Sequence, residues 1–406
     1  MTDSPPLARR MPGFDGRHAT QRARRTRVAG VIVLVLAVIG VLVYFFGSHV
    51  FHHTAAPRRH PVHHVAVPKV VTSLVPWRLS APISRAVVLA GATPGGNSLE
   101  ILGGATTGGL TASGAFALDV STGTLSQVGD LATTLDNAAG AVLDGQDVVF
   151  GGTPSASASA TASVQALSDA APTGAPATAL PASTSLGSLP APRSDDTSAL
   201  SGSTAYLVGG DNASGPDPTI LATTDGRHFT VVASLKLPVL FPAVAVLGNE
   251  LYVFGGVADA GPDAGHPVNT IQVVDLRTHK VTDTGHLPEP LAGAAAIVLG
   301  HDIFVAGGDS TAPASRTSTS TTTTSTTTTS TTPAGSAAPT SGPTTSTVST
   351  VWSYDPTSGT STTVGHLFLA VSHAGVAVLG STAWLVGGEA NGTPVSSVQN
   401  LVVAPS

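Results

Sequence analysis

The sequence predicts an all-β fold, a ring of six four-stranded antiparallel blades, preceded by one transmembrane helix. Two observations predict it. A Gly-Gly pair ends a short apolar run six times in one frame, and an apolar segment without a charge lies near the start.

The runs are "SLEILGG", "DVVFGG", "AYLVGG", "LYVFGG", "IFVAGG" and "AWLVGG". Their doublets are Gly103-Gly104, Gly151-Gly152, Gly209-Gly210, Gly255-Gly256, Gly307-Gly308 and Gly387-Gly388. Successive first glycines stand 48, 58, 46, 52 and 80 residues apart. The last gap holds a 33-residue tract rich in Ser and Thr, Ser315 to Thr347, without which it is 47. Self-similarity at such a period is the mark of a solenoid, propeller or array. Glycine suits the end of an inner strand because it allows positive φ and close approach of a neighbouring backbone.

The rest of the unit repeats with the doublet. A leucine stands 20 residues before the first glycine in five units (Leu131, Leu189, Leu235, Leu287, Leu367), and Leu79 serves the first. Gly202, Gly248, Gly300 and Gly380 lie seven residues before it. Between leucine and glycine run short β-branched stretches such as "AVAVLG", which read as strand. Downstream, Asp119, Asp275 and Asp355 begin turns in which an Asp side chain accepts from the backbone two residues on. Each unit thus reads as four strands: leucine to glycine, glycine to doublet, doublet to Asp, and Asp to the next leucine. "SSVQNLVV" at the end is a third strand without a fourth, and "VTSLVPWRL" a fourth without its first three. Their pairing would close the ring and remove two exposed edges.

With "LYVFGG" and its relatives, the Asp-x-x-Thr/Ser turn and a Gly-x-Leu ending, the chain resembles the Kelch-repeat β-propeller family from about Val71 to Ser406. The resemblance implies a six-bladed Kelch-like β-propeller at 71–406. The family's tryptophan in the last strand is mostly missing. Val128, Thr284 and Val364 stand near its place, and only Trp77 keeps it.

Val28 to Phe46 is apolar throughout, and 19 residues at about 1.5 Å each span roughly a 30 Å hydrocarbon layer. Residues 28–47 are therefore read as a transmembrane helix behind a basic cytoplasmic tail, 1–27. The positive-inside rule then puts the propeller outside the cell, on the cell membrane as a single-pass protein. Residues 48–70 form a His- and Pro-rich stalk in which His52, His53, His63 and His64 are the metal candidates. The Ser/Thr-rich stretch 311–349 cannot bury a core and is read as a disordered insertion. Cysteine is absent, so no disulfide braces the fold and no thiol chemistry is open to it. A copper radical oxidase, whose cofactor joins cysteine to tyrosine, is thereby excluded.

In a four-strand meander the loops after strands two and four share one end of the ring. Acids gather there: Asp211, Asp309 and Glu389 directly after a doublet, then Asp217, Asp259, Asp263, Asp136, Asp195, Asp196 and Glu289. Bases on that end are Arg85, Arg193, Lys236, Arg316, His266 and His373. The ligand-binding set expected from this is Asp211, Asp217, Asp259, Asp309, Glu389, Arg193 and Asp196, a face for a cationic group or basic partner. No Ser-His-Asp set, phosphate loop or metal-ligand spacing is present, and no catalytic residue or cofactor is assigned. The exterior lacks a basic, aromatic-laced surface for nucleic acid. The expected role is a membrane-anchored extracytoplasmic module that binds a protein or glycan of the envelope. The alternative is a carbohydrate-active enzyme on a Kelch-like propeller, of sugar isomerase or glycosidase type.

Overall fold

The computed structural model describes residues 67–91, 96–167, 180–212, 214–259, 261–311 and 345–404. The basic tail, the apolar segment, the candidate metal histidines and most of the stalk and of the Ser/Thr-rich tract lie outside these residues. Among the described residues no helix is long and apolar enough to cross a membrane.

Those residues build an all-β propeller of six blades, each a four-stranded antiparallel sheet. From the axis outwards, blade one is Val87–Ala90, Ser98–Leu102, Gly114–Asp119 and Thr124–Asp130. Blade two is Ala139–Leu143, Gln146–Phe150, Ser163–Ala166 and Thr184–Ser188; blade three is Ser194–Ser201, Thr204–Asn212, Thr219–Thr223 and Thr230–Ser234. Blade four is Ala243–Leu247, Glu250–Phe254, Val268–Asp275 and Lys280–Leu291; blade five is Ala295–Leu299, Asp302–Ala306, Thr350–Asp355 and Thr360–His366. Blade six takes Gly375–Leu379, Thr382–Val386 and Val398–Val403 from the end of the chain, and Val70–Leu74 from near its start as the outermost strand. Val70 faces Val403 and Leu74 faces Gln399 in that last pairing, so the ring closes as the two incomplete repeats require. Ser346–Thr347, within the stretch read as an insertion, pairs with Asp309–Ser310.

The core is divided among the blades. Six apolar clusters lie one between each pair of neighbours: Leu102 with Val149, Phe150 with Leu207, Val208 with Val253, Phe254 with Tyr354, Phe304 with Leu385, and Trp384 with Leu99. Alternation along each strand sends side chains to both faces of a blade, which is why every second strand is apolar on both sides. Trp77, just past the closing strand, stacks on Trp384 with ring centroids 6.4 Å apart. A Cβ on Gly123 would lie 2.3 Å from the Trp77 ring, so glycine there makes room for the indole. The Asp turns form as expected: Asp275 Oδ1 accepts from the amides of Arg277 (2.8 Å) and Thr278 (3.1 Å), and Asp119 and Asp355 do likewise.

The doublets are the staples between blades. A Cβ on the first glycine would sit 2.1–2.6 Å from a backbone carbonyl of the next blade, that of Leu135, Arg193, Val239, Leu291, Val371 or Ile83. In five doublets the second glycine's amide donates to that same carbonyl at 2.7–2.9 Å. Absence of a side chain thus lets one backbone reach another, and the hydrogen bond fixes where it lands. Blades two, four and six add a second anchor. Gln165, Gln272 and Gln399, all buried in third strands, reach the linker from the preceding blade; Gln272 accepts from the amides of Lys236 (2.9 Å) and Leu237 (3.1 Å) and donates to the carbonyl of Leu237 (2.9 Å).

Candidate functional site at the channel mouth

Two residues beyond each stapled carbonyl the chain takes a left-handed turn before entering the innermost strand. The residues at that turn are Arg85, Asn137, Asp195, Phe241, Gly293 and His373, with φ between 51° and 60°. Each stands six residues after the repeat's leucine, in all six units. Their backbones form a closed ring. Asn137 N–H donates to Arg85 O, Asp195 to Asn137, Phe241 to Asp195, Gly293 to Phe241, His373 to Gly293, and Arg85 to His373, at 2.8–3.3 Å. Six blades therefore hold six unlike residues on one hydrogen-bonded circle.

The circle surrounds the mouth of a central cavity of about 420 Å³. Below it the walls are mainly small and apolar: Ala86, Val88, Gly140, Val244, Ala296 and Val376. Gly140 and Gly375 are needed where inner strands meet, since a Cβ would lie 2.2 Å from Val87 and 2.1 Å from Val88 respectively. Gly293 leaves the space occupied by the His373 imidazole, whose ring atoms would lie 2.8 Å from a Cβ there. Phe241 then meets that imidazole edge to face with centroids 4.8 Å apart.

The acids after the doublets pair with the segment before each ring residue, Asp309 with Ala292 and Glu389 with Ser372, and so gather around this mouth. Arg85 Nε lies 2.9 Å from Glu389 Oε1, across the junction of blades one and six. Asp309 accepts from the Thr347 hydroxyl at 2.7 Å and stands 3.8 Å from His373 Nδ1. Burial, assisted by Arg85 and opposed by Glu389 and Asp309, holds His373 below its ordinary range, so at neutral pH the ring is uncharged.

Arg193 occupies the slot that holds Ile, Leu or Val in every other blade. Its side chain is buried, with Nη2 2.6 Å from Asp217 Oδ2 and Nη1 donating to Thr219 O at 3.0 Å. Burial alone would raise Asp217, but the Thr219 amide and hydroxyl, Arg193 and Asn212 together hold it below the usual carboxylate range. Asp195 is pushed up to about 6, first by burial and then by Asp211 and Asp136, against Arg85. Asp196, buried, rises to about 7, with Asp195 and Asp217 adding to the effect of burial and Arg193 opposing it.

Of the residues expected from the sequence, Asp211, Asp309, Glu389, Arg193, Asp196 and Asp217 all fall at this end, the last four buried rather than facing solvent. Asp259 is exposed on the loop after blade four's second strand. The acids of the loops do not mark the ring as a unit, because Asn137, Phe241 and Gly293 carry no charge. Its sequence signal is the position six after each repeat's leucine. Among the described residues no group of three His, Asp or Glu side chains could hold a metal ion.

A family model described as the Kelch motif matches residues 238–285. That span is one repeat, from the residue before the stapled Val239 to the fourth strand of blade four. No curated protein matches the chain.

Proposed function

From a six-bladed Kelch-repeat propeller, a scaffold commonly used to bind proteins, we propose a membrane-anchored module that recognises an envelope or extracellular ligand with the mouth end of its ring. The single observation that carries this is the circle of Arg85, Asn137, Asp195, Phe241, Gly293 and His373. A rigid backbone ring presenting six different side chains, bordered by the acids of the post-doublet loops, is a preformed recognition surface. The anchor and the external location rest on the apolar segment at 28–47 and the arginines before it.

The test is capture by the full chain, in detergent, from an envelope extract. The Asp211→Asn, Asp309→Asn, Glu389→Gln variant serves as the comparison. A partner held by the parent and lost by the variant supports the reading; a folded parent that retains nothing, or a partner that ignores the variant, removes it.

A carbohydrate-active enzyme is the second reading. It is favoured by Asp195, raised to about 6, and an uncharged His373 on the opposite side of the same ring, an acid and a base facing one cavity. Turnover of sugars by the parent chain, abolished by His373→Asn, would establish it.

A further inference from the structure

Negative charge at the mouth is unevenly answered. Glu389 has Arg85, Asp217 has Arg193, Asp309 has the Thr347 hydroxyl and Asp136 has the Thr153 hydroxyl. In the blade-three sector, Asp195, Asp196 and Asp211 each keep at least one buried carboxylate oxygen without a hydrogen-bond partner. Asp196 lines the cavity, is 8% exposed, and has no partner on either oxygen. Buried acceptors without donors are costly, so three of them side by side mark a place that a donor must fill.

The surroundings decide which donor. Of the arginines described at this end, Arg85 is ion-paired with Glu389 and Arg193 with Asp217, so both reach this sector only as more distant charges and leave it net negative and hostile to an anion. Phe241 follows Asp195 on the ring and offers an aromatic surface, and Val244 with the alanines below supplies an apolar wall. Carboxylates for N–H groups, a π-face for positive charge and an apolar wall for methylenes suit a cation on an aliphatic stem.

We propose that Asp195, Asp196 and Asp211, beside Phe241, form a pocket for one lysine or arginine side chain of a partner polypeptide. The proposal rests on the reading of the protein as a binding module and specifies what that module grips. Asp195 makes the direct contact, Asp211 flanks it from the post-doublet loop, and Asp196 stands behind with two unpartnered carboxylate oxygens.

The experiment titrates the full 406-residue chain, in detergent, with Nα-acetyl-lysine methylamide, Nα-acetyl-arginine methylamide and the neutral Nα-acetyl-norleucine methylamide, read by NMR. Saturable binding of one or both cationic probes and none of the neutral one is expected, and the two cations show which side chain is preferred. Asp195→Asn should weaken binding at least tenfold. Asparagine tolerates left-handed backbone, so the φ of 59° at this position is kept. Asp225→Asn, which removes the same charge between strands three and four at the other end of the ring, should bind as the parent does.

Equal binding of the norleucine probe, or unchanged affinity in Asp195→Asn, overturns the pocket. So does binding of glucosamine oligomers without either amino-acid cation, which would move the site to a glycan. If neither cation binds while the captured partner still does, the pocket falls and the binding module stands. If the partner is not captured either, both fall.

Discussion

Blades three and four build the same turn from opposite chemistry. Blade three writes it Arg193-Ser194-Asp195-Asp196, and blade four writes it Val239-Leu240-Phe241-Pro242. The carbonyls of Arg193 and Val239 both lie under the first glycine of the blade before, and the amides of Asp195 and Phe241 take consecutive places in the ring. Four polar residues and four apolar ones thus follow one backbone path. The path is set by glycines and main-chain hydrogen bonds, which leaves these side chains free to differ. The family model matches the blade whose turn is apolar, and the unmatched blade beside it holds the buried charges.

Breaking the ion pair is expected to separate the two blades most. Asp217→Ala leaves Arg193 buried and unpaired and should cost about 3–5 kcal/mol in denaturant unfolding. Changing both to apolar residues, Arg193→Leu with Asp217→Leu, makes blade three resemble blade four and should fall within about 2 kcal/mol of the parent. The staple comes next. Gly151→Ala drives a Cβ to 2.2 Å from the Arg193 carbonyl and fixes alanine at a φ of 63°, with an expected loss of about 3 kcal/mol. Gly202→Ala, at a φ of 58° with nothing within 4 Å, isolates the backbone penalty and should lose only about 1 kcal/mol.

The acid pair acts through pH and has a distinct sign. Asp195 and Asp196 titrate near 6 and 7 in the folded chain and near 4 when unfolded, so the folded state binds more protons between those values. Their contribution is fully present below about pH 4 and is lost as pH rises through 7. From pH 4 to 8 the parent's midpoint should therefore lose ground to that of Asp195→Asn with Asp196→Asn, while His373, held below its ordinary range, acts in the opposite sense in both chains. Blade four, with Phe241 and Pro242 in these places, has no such term to lose.

Much of this was legible in the sequence because the repeat is carried by residues whose physical roles are local. A leucine, a glycine doublet and an Asp turn each act through their own backbone, so six copies in one frame predict six meanders, and two incomplete ends predict that Val70–Leu74 joins Val398–Val403. The acids of the post-doublet loops were also readable, since a meander places alternate loops at one end. Their pairing was not. Arg193 stands in a loop rich in polar residues and is nonetheless buried on Asp217, 24 residues away, because the slot between blades accepts a guanidinium once a carboxylate lies inside it.

The sequence by itself therefore determined the number of blades, the order of the strands and the means of closure, since these follow from periodicity and from the backbone freedom of glycine. Only the tertiary structure decided which carboxylates are answered and which are left open. Arg85 meets Glu389 across 304 residues of chain, and Asp195 to Asp211 have no such partner, because burial and pairing depend on what the closed ring brings within a few ångströms.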